Sequence, residues 1–315
     1  MRRRFHRKGF TLIEISLSLI FVTILTLAIT LIINNTVVAY QRGMVLNRVN
    51  TLGMALVDDF RLALQNSSGK TLTSTCSIIY KDPVERSKCE ADEAYNFVSV
   101  TKYTNMKIKK SSNTTNTRTN VPIYGAFCTG TFSYIWNSGY YESDNAEFNE
   151  KASSWAKLKY KAADGSTITI GNDKPFKIIK IRDSNRGVCV TAINPAYDSN
   201  EIISRKYAMP DGGISNVFDI SKINDGMLSE DPEYLISSNE DGNLAIYELL
   251  ITRPALSVED NSLFYSGSFI IGTIDGGIDI MASGSTCATP NDYAIENFNY
   301  CAINKFNFAV RANGE

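Results

Sequence analysis

Apolar and polar positions alternate with three different periods along this chain. From Phe10 to Ile33 every residue except Glu14 is apolar or carries only a small hydroxyl. At 1.5 Å per residue those positions predict a helix of about 36 Å, long enough to cross a bilayer. Beyond it Val37, Val38, Val45, Val49, Leu52, Leu56, Phe60 and Leu64 recur every three or four residues, with Arg42, Arg48, Asp58, Asp59 and Arg61 between them. That spacing predicts an amphipathic continuation of the same helix. Asn66-Ser67-Ser68-Gly69 predicts its end near Gln65. After residue 66 the period shortens. LKYKAADGSTITI reads as a hairpin turning at Asp164-Gly165, and FKIIKIRDSNRGVCVTAI as a second one with DSNRG as its loop. NLAIYELLI, SLFYSGSFIIGTI and KFNFAVR are further strands, and KKSSNTTNTRTN (109–120) reads as a loop. The expectation is an α+β protein. One long helix, 10–65, with a membrane-spanning segment at 10–33, packs on a mostly antiparallel sheet domain, 66–315, that carries an insertion or loop near 105–120.

Charge gives this outline a direction. Arg2, Arg3, Arg4, Arg7 and Lys8 precede the apolar run with no acid among them, and the remaining 27 basic and 33 acidic residues leave a net of −6. A basic flank before the span predicts that the N-terminus stays in the cytoplasm and the large domain lies outside. The cysteines agree, since all six (Cys76, Cys89, Cys128, Cys189, Cys287 and Cys301) follow the span. An exported domain favours disulfides over buried thiols. Six cysteines allow fifteen pairings. Closeness favours Cys76 with Cys89 and Cys287 with Cys301, leaving Cys128 for Cys189.

The apolar run is too long for the core of a secretory signal, and no small-residue cleavage site follows it. A plain anchor gives no reason for a carboxylate at position 14, which costs about 2.5–3.5 kcal/mol near the centre of a membrane helix and less near its edge. The segment RKGFTLIEISLSLI resembles the cleavage and methylation segment of type IV prepilins and pseudopilins. The resemblance covers about the first 25 residues. It implies that residues 1–9 are a leader cut after Gly9 by a prepilin peptidase, and that Phe10 is the N-methylated mature start. Glu14 is then the acidic residue that meets the amine of a neighbouring subunit. It lies four residues from Phe10 and therefore on the same helix face. LVDDFRLALQNS resembles minor pilins and pseudopilins of the W and J type. Major pilins often carry a helix-breaking proline where this chain has Leu31, so no local melting of the helix is expected.

The resemblance implies a filament subunit, a minor pilin by its size, acting in assembly priming, adhesion or uptake. Its partners would be other pilin subunits, the peptidase, and an inner-membrane assembly machinery. It would start as a single-pass inner-membrane protein and finish in a surface filament. A type II secretion pseudopilin is the alternative within the family, and a monomeric membrane-anchored receptor or binding module is the alternative of another class. Enzyme chemistry is not expected. The only histidine, His6, lies in the leader, and no GxSxG, GxxxxGK[ST] or HExxH occurs. No metal or other cofactor is expected; the acidic turns at Asp211, Asp275 and Asp279 read as ordinary Asp-Gly turns. One stretch has binding character: Lys102, Lys107, Lys109, Lys110 and Arg118, with no acid between Ala94 and Tyr141. With aromatic residues that include Tyr134 and Trp136, it is a candidate patch for a surface polymer or DNA, weighed against a solvated loop beside a core cluster.

Overall fold

The computed structural model describes residues 11–67, 83–84, 99–109, 115–129, 131–142, 146–148, 155–183, 187–188, 216–222, 231–236, 243–252, 264–274 and 302–312. Among them a single helix, α1 (Leu12–Gln65), runs unbroken for 54 residues. Thr11 is its N-cap in extended backbone, and Asn66 ends it with its N–H turned back to the carbonyls of Leu62 and Leu64. The helix therefore stops where the Asn-Ser-Ser-Gly run indicates. The absence of proline within it explains its continuity.

Among the described residues twelve strands follow: β1 (Ser99–Lys109), β2 (Thr115–Cys128), β3 (Phe132–Asn137), β4 (Ala146–Phe148), β5 (Lys157–Lys161), β6 (Thr167–Ile170), β7 (Ile178–Arg182), β8 (Val217–Asp219), β9 (Glu233–Tyr234), β10 (Leu244–Thr252), β11 (Phe264–Thr273) and β12 (Ile303–Arg311). They form a six-stranded sheet in the order β4-β1-β2-β3-β7-β9, a three-stranded sheet β10-β11-β12, and a three-stranded sheet β6-β5-β8. All pairings are antiparallel except β5 with β8. One long N-terminal apolar helix with mostly antiparallel sheets is the α+β outline expected from the sequence.

The six-stranded sheet is covered on both faces. Successive side chains of a strand point to opposite sides, and β3 shows the consequence: Tyr134 and Trp136 enter one core while Ile135 enters the other. The first core joins them to Phe127, Ile178, the inner face of α1, and the β10-β11-β12 sheet. The second gathers Ile123, Tyr124, Ala126, Cys128, Ile179 and Ile181 under the small sheet through Leu158, Tyr160 and Phe218. Burial on both faces is why the second half of β2 (121–128), β3 and β7 are rich in apolar residues.

The first hairpin is as expected. β5 and β6 are antiparallel, with Gly165 at φ 82° in the turn, where a side chain would be strained. The second reading is corrected. β7 is flanked by β3 and β9 rather than by the segment that follows it, and Gly187 and Val188 lie in a helical turn. The cause is Asp183, fully buried, whose carboxylate accepts the N–H groups of Gly187 (3.0 Å) and Val188 (2.9 Å) and the Ser133 hydroxyl (3.2 Å). The loop reading of 109–120 is also corrected: 115–120 belongs to β2, paired with β1 across two register shifts. Near them Asn120 takes a φ of 57°, a conformation that Asn tolerates better than most residues. The Asn and Thr of 115–118, which read as loop formers, are held extended here by the ladder to β1.

Candidate functional site at the start of the long helix

The helix start is built by its own residues. The Thr11 backbone N–H and hydroxyl both donate to Glu14 Oε2 at 2.9 Å, and the Glu14 N–H reaches back to Thr11 Oγ1 at 3.4 Å. This reciprocal capping box satisfies N–H groups that a helix start otherwise leaves without partners. Glu14 is thus the acidic residue of the first turn, at the positive end of the helix dipole. Gly9 and Phe10, the expected cleavage and methylation positions, lie outside the described residues.

From Leu12 to Val37 the side chains are exposed all round the helix, among them Leu12 at 86%, Leu17 at 70% and Leu31 at 57%. The helix is long and apolar enough to cross a membrane. Five of its hydroxyls are satisfied within the helix: Ser16, Thr26, Thr30 and Thr36 each bond the carbonyl four residues back at 2.8 Å, and Thr23 bonds that of Ile20. Glu14 is the one ionisable group in this stretch.

Lower on the helix a second polar cluster joins α1 to the sheet, and sequence reading missed it. Asp59 accepts from the Tyr134 hydroxyl at 2.8 Å and pairs with Lys180 Nζ at 2.5 Å. Lys180 lies 4.6 Å from the Phe132 ring centroid. Burial first, and then the charge and hydrogen bond of Asp59, push the Tyr134 phenol well above its usual range, so it stays protonated and donates. The available signal was Asp59 itself: it stands one residue before Phe60, which puts it at the border of the apolar face rather than opposite it.

The two rings of the sequence-predicted ligand patch do not face solvent. Tyr134 and Trp136 are fully buried, as are Phe127 and Tyr140, so these rings form core and cross-strand stacking. Phe127 and Tyr134 stack at 4.3 Å. Lys102 is half-buried in β1 beside exposed Tyr103. Lys107 and Lys109 are in β1 and Arg118 is in β2. Lys107 stands in register beside Glu147 of β4, an acid that local sequence did not place there. Lys110 lies outside the described residues. Of the cysteines, Cys128 closes β2 and is buried. Cys76, Cys89, Cys189, Cys287 and Cys301 lie outside the described residues. Among the described residues no cluster of His, Cys, Asp and Glu is arranged to hold a metal.

Set against known proteins, the chain matches no protein-family model, no curated protein and no solved structure.

Proposed function

We propose that this chain is a subunit of a type IV pilus or related filament, a minor pilin, that enters the filament through α1 after a prepilin peptidase cuts between Gly9 and Phe10. One observation carries the reading. A single rigid helix has a first half that its own chain leaves bare and a second half built into a folded domain, and a lone carboxylate stands where the bare half begins. A plain anchor needs the bare half but not the carboxylate. The prepilin-like segment around it supplies the rest of the argument.

In this reading the precursor sits in the inner membrane with its basic leader in the cytoplasm. Cleavage leaves the helix in place and creates an amine at Phe10. The Glu14 carboxylate of an incoming subunit meets the amine of a subunit already assembled; in low dielectric only the correctly staggered neighbour repays the desolvation of both charges. The exported domain is stapled by Cys76–Cys89, Cys128–Cys189 and Cys287–Cys301. Val188 shares a buried cluster with Cys128, which favours its neighbour Cys189 as the partner. The domain itself would act in priming, adhesion or uptake.

The test is mass spectrometry of the protein's N-terminus in sheared surface filaments, with Glu14→Val beside the wild type. A methylated Phe10 in the filament fraction, and loss of Glu14→Val from that fraction while it remains in membranes, are the expected results. An intact leader on protein found only in membranes would make the chain an anchored receptor instead. Methylated protein confined to short periplasmic assemblies would make it a secretion pseudopilin.

A further inference from the structure

The inner face of α1 is almost a periodic apolar track. Val49, Leu52, Gly53, Leu56, Val57, Phe60, Ala63 and Leu64 meet a floor of Phe127, Tyr134, Phe269, Phe306 and Phe308. Sliding the helix by one turn would present the same face again, apolar against apolar. Burial alone is therefore a poor judge of axial position.

Asp59 breaks the periodicity. On the sheet its partners Tyr134 of β3 and Lys180 of β7 stand opposite each other, and Glu233 of β9 stands opposite Lys180 on the other side. In the observed position Asp59 bonds both Tyr134 and Lys180. A slip of three or four residues brings Leu56, Ala55, Leu62 or Ala63 to that place. All four are apolar, so every one-turn slip leaves a buried phenol without its acceptor and a largely buried ammonium with only exposed Glu233 opposite it, which is costlier than the bond itself is stabilising.

We propose that the Asp59–Lys180–Tyr134 cluster is an axial stop, a polar pin that fixes where along α1 the sheet domain is seated and holds it there when the helix is pulled along its length. The pin works with one steric device. A Cβ on Gly53 would fall 2.0 Å from Phe306, so a slip that brings Val49, Asn50, Leu56 or Val57 under that ring is also resisted. The pin acts in either direction and does not depend on the assembly proposed above. It matters most in a chain anchored at one end of the helix, because each turn of slip moves the whole domain by about 5 Å along its anchor.

Spin labels on the full chain in detergent test this. Cysteines introduced at exposed Met54, paired in turn with Asp164→Cys and Thr252→Cys, report the helix position by pulsed dipolar spectroscopy. The wild type is expected to give one distance for each pair. Asp59→Ala is expected to add a second peak, displaced by about 5–6 Å in at least one pair, equivalent to a slip of three or four residues. Adding Ala55→Asp to Asp59→Ala is expected to move the main peak to the displaced position. Unchanged single peaks in both variants would overturn the proposal and leave Gly53 and the apolar face as the whole determinant. If Asp59→Ala yields too little folded protein, Lys180→Met, which keeps an apolar stem over Phe132, takes its place with the same two outcomes. Because the readout needs neither cleavage nor filaments, failure of the pin and failure of the filament reading are told apart by the N-terminal mass of the same sample.

Discussion

The two halves of α1 carry the same kinds of residue into opposite surroundings. Leu12 and Leu31 are 86% and 57% exposed, while Leu56 and Leu64 are 2% and 0% exposed. In the first half apolar side chains occupy every direction around the axis, and no single contact surface of a folded domain could cover them all. Such a helix needs a surrounding medium or a bundle of neighbours. In the second half one side is a continuous apolar face covered by the chain's own sheets, and only scattered apolar residues such as Met54 and Leu62 stand outside it. Fully burying Val49, Leu56, Val57, Phe60 and Leu64 is worth on the order of 10 kcal/mol as an upper estimate. The lesson concerns distribution rather than amount. The angular spread of apolar residues decides whether a helix is buried by its own chain or by something else.

That contrast can be broken most strongly at Phe60. Its ring meets Phe127, Tyr134 and Phe269 edge-on at 5.2, 5.3 and 5.5 Å, so it is the hub of the inner face. Phe60→Ala is expected to lower unfolding free energy by about 3–5 kcal/mol in urea titrations. Phe21→Ala, in the bare half, is expected to leave the unfolding of the sheet domain unchanged. Equal effects at the two sites would mean that the halves are not distinct.

A smaller effect sharpens the same contrast with one substitution made twice. Gly53→Ala places a methyl group in the Phe306 ring and is expected to destabilise by about 1–3 kcal/mol despite the better helix propensity of alanine. At Gly43 a Cβ meets nothing within 4 Å, so Gly43→Ala is expected to be neutral or stabilising by up to about 1 kcal/mol. Circular-dichroism melts of the two variants check the opposite signs.

The smallest expected effect is at the far side of the molecule. Partial burial alone would raise the Asp219 carboxyl, but the Ser221 hydroxyl, Lys159 at 3.1 Å and the Ser221 N–H together hold it below its usual value. A carboxyl whose pKa is lower in the folded state stabilises above its unfolded value near 4, and that contribution is lost as pH falls through the folded value. Asp219→Asn is therefore expected to flatten the acid limb of a melting-temperature profile below about pH 4, with a change of less than about 1 kcal/mol at pH 7 because the pair is partly solvated. An acid limb identical to that of the wild type would remove Asp219 from the account.

Local sequence determined a good deal here. The continuity and end of α1, the capping box of Thr11 with Glu14, the β5–β6 turn and the strands β10, β11 and β12 follow from spacing and from turn residues acting on their nearest neighbours. Those forces operate within a few residues, so they are legible in a linear reading. The candidate site at Glu14 belongs to this class, since its partner stands three residues away. What lay beyond the linear reading is what distant strands decide. β7 pairs with β3 and β9, and Asp183 turns the following residues into a helical turn. Asn- and Thr-rich 115–118 is extended because β1 lies beside it. Tyr134 and Trp136 read more readily as core than as an exposed stacking surface, and it is the arrival of α1 and the second sheet that makes them core. Asp59 shows in the sequence only as an acid at the border of the apolar face until Tyr134 and Lys180, 75 and 121 residues away, are folded beneath it. Polar pairs of that kind depend on tertiary proximity, and no short-range pattern in the chain encodes it.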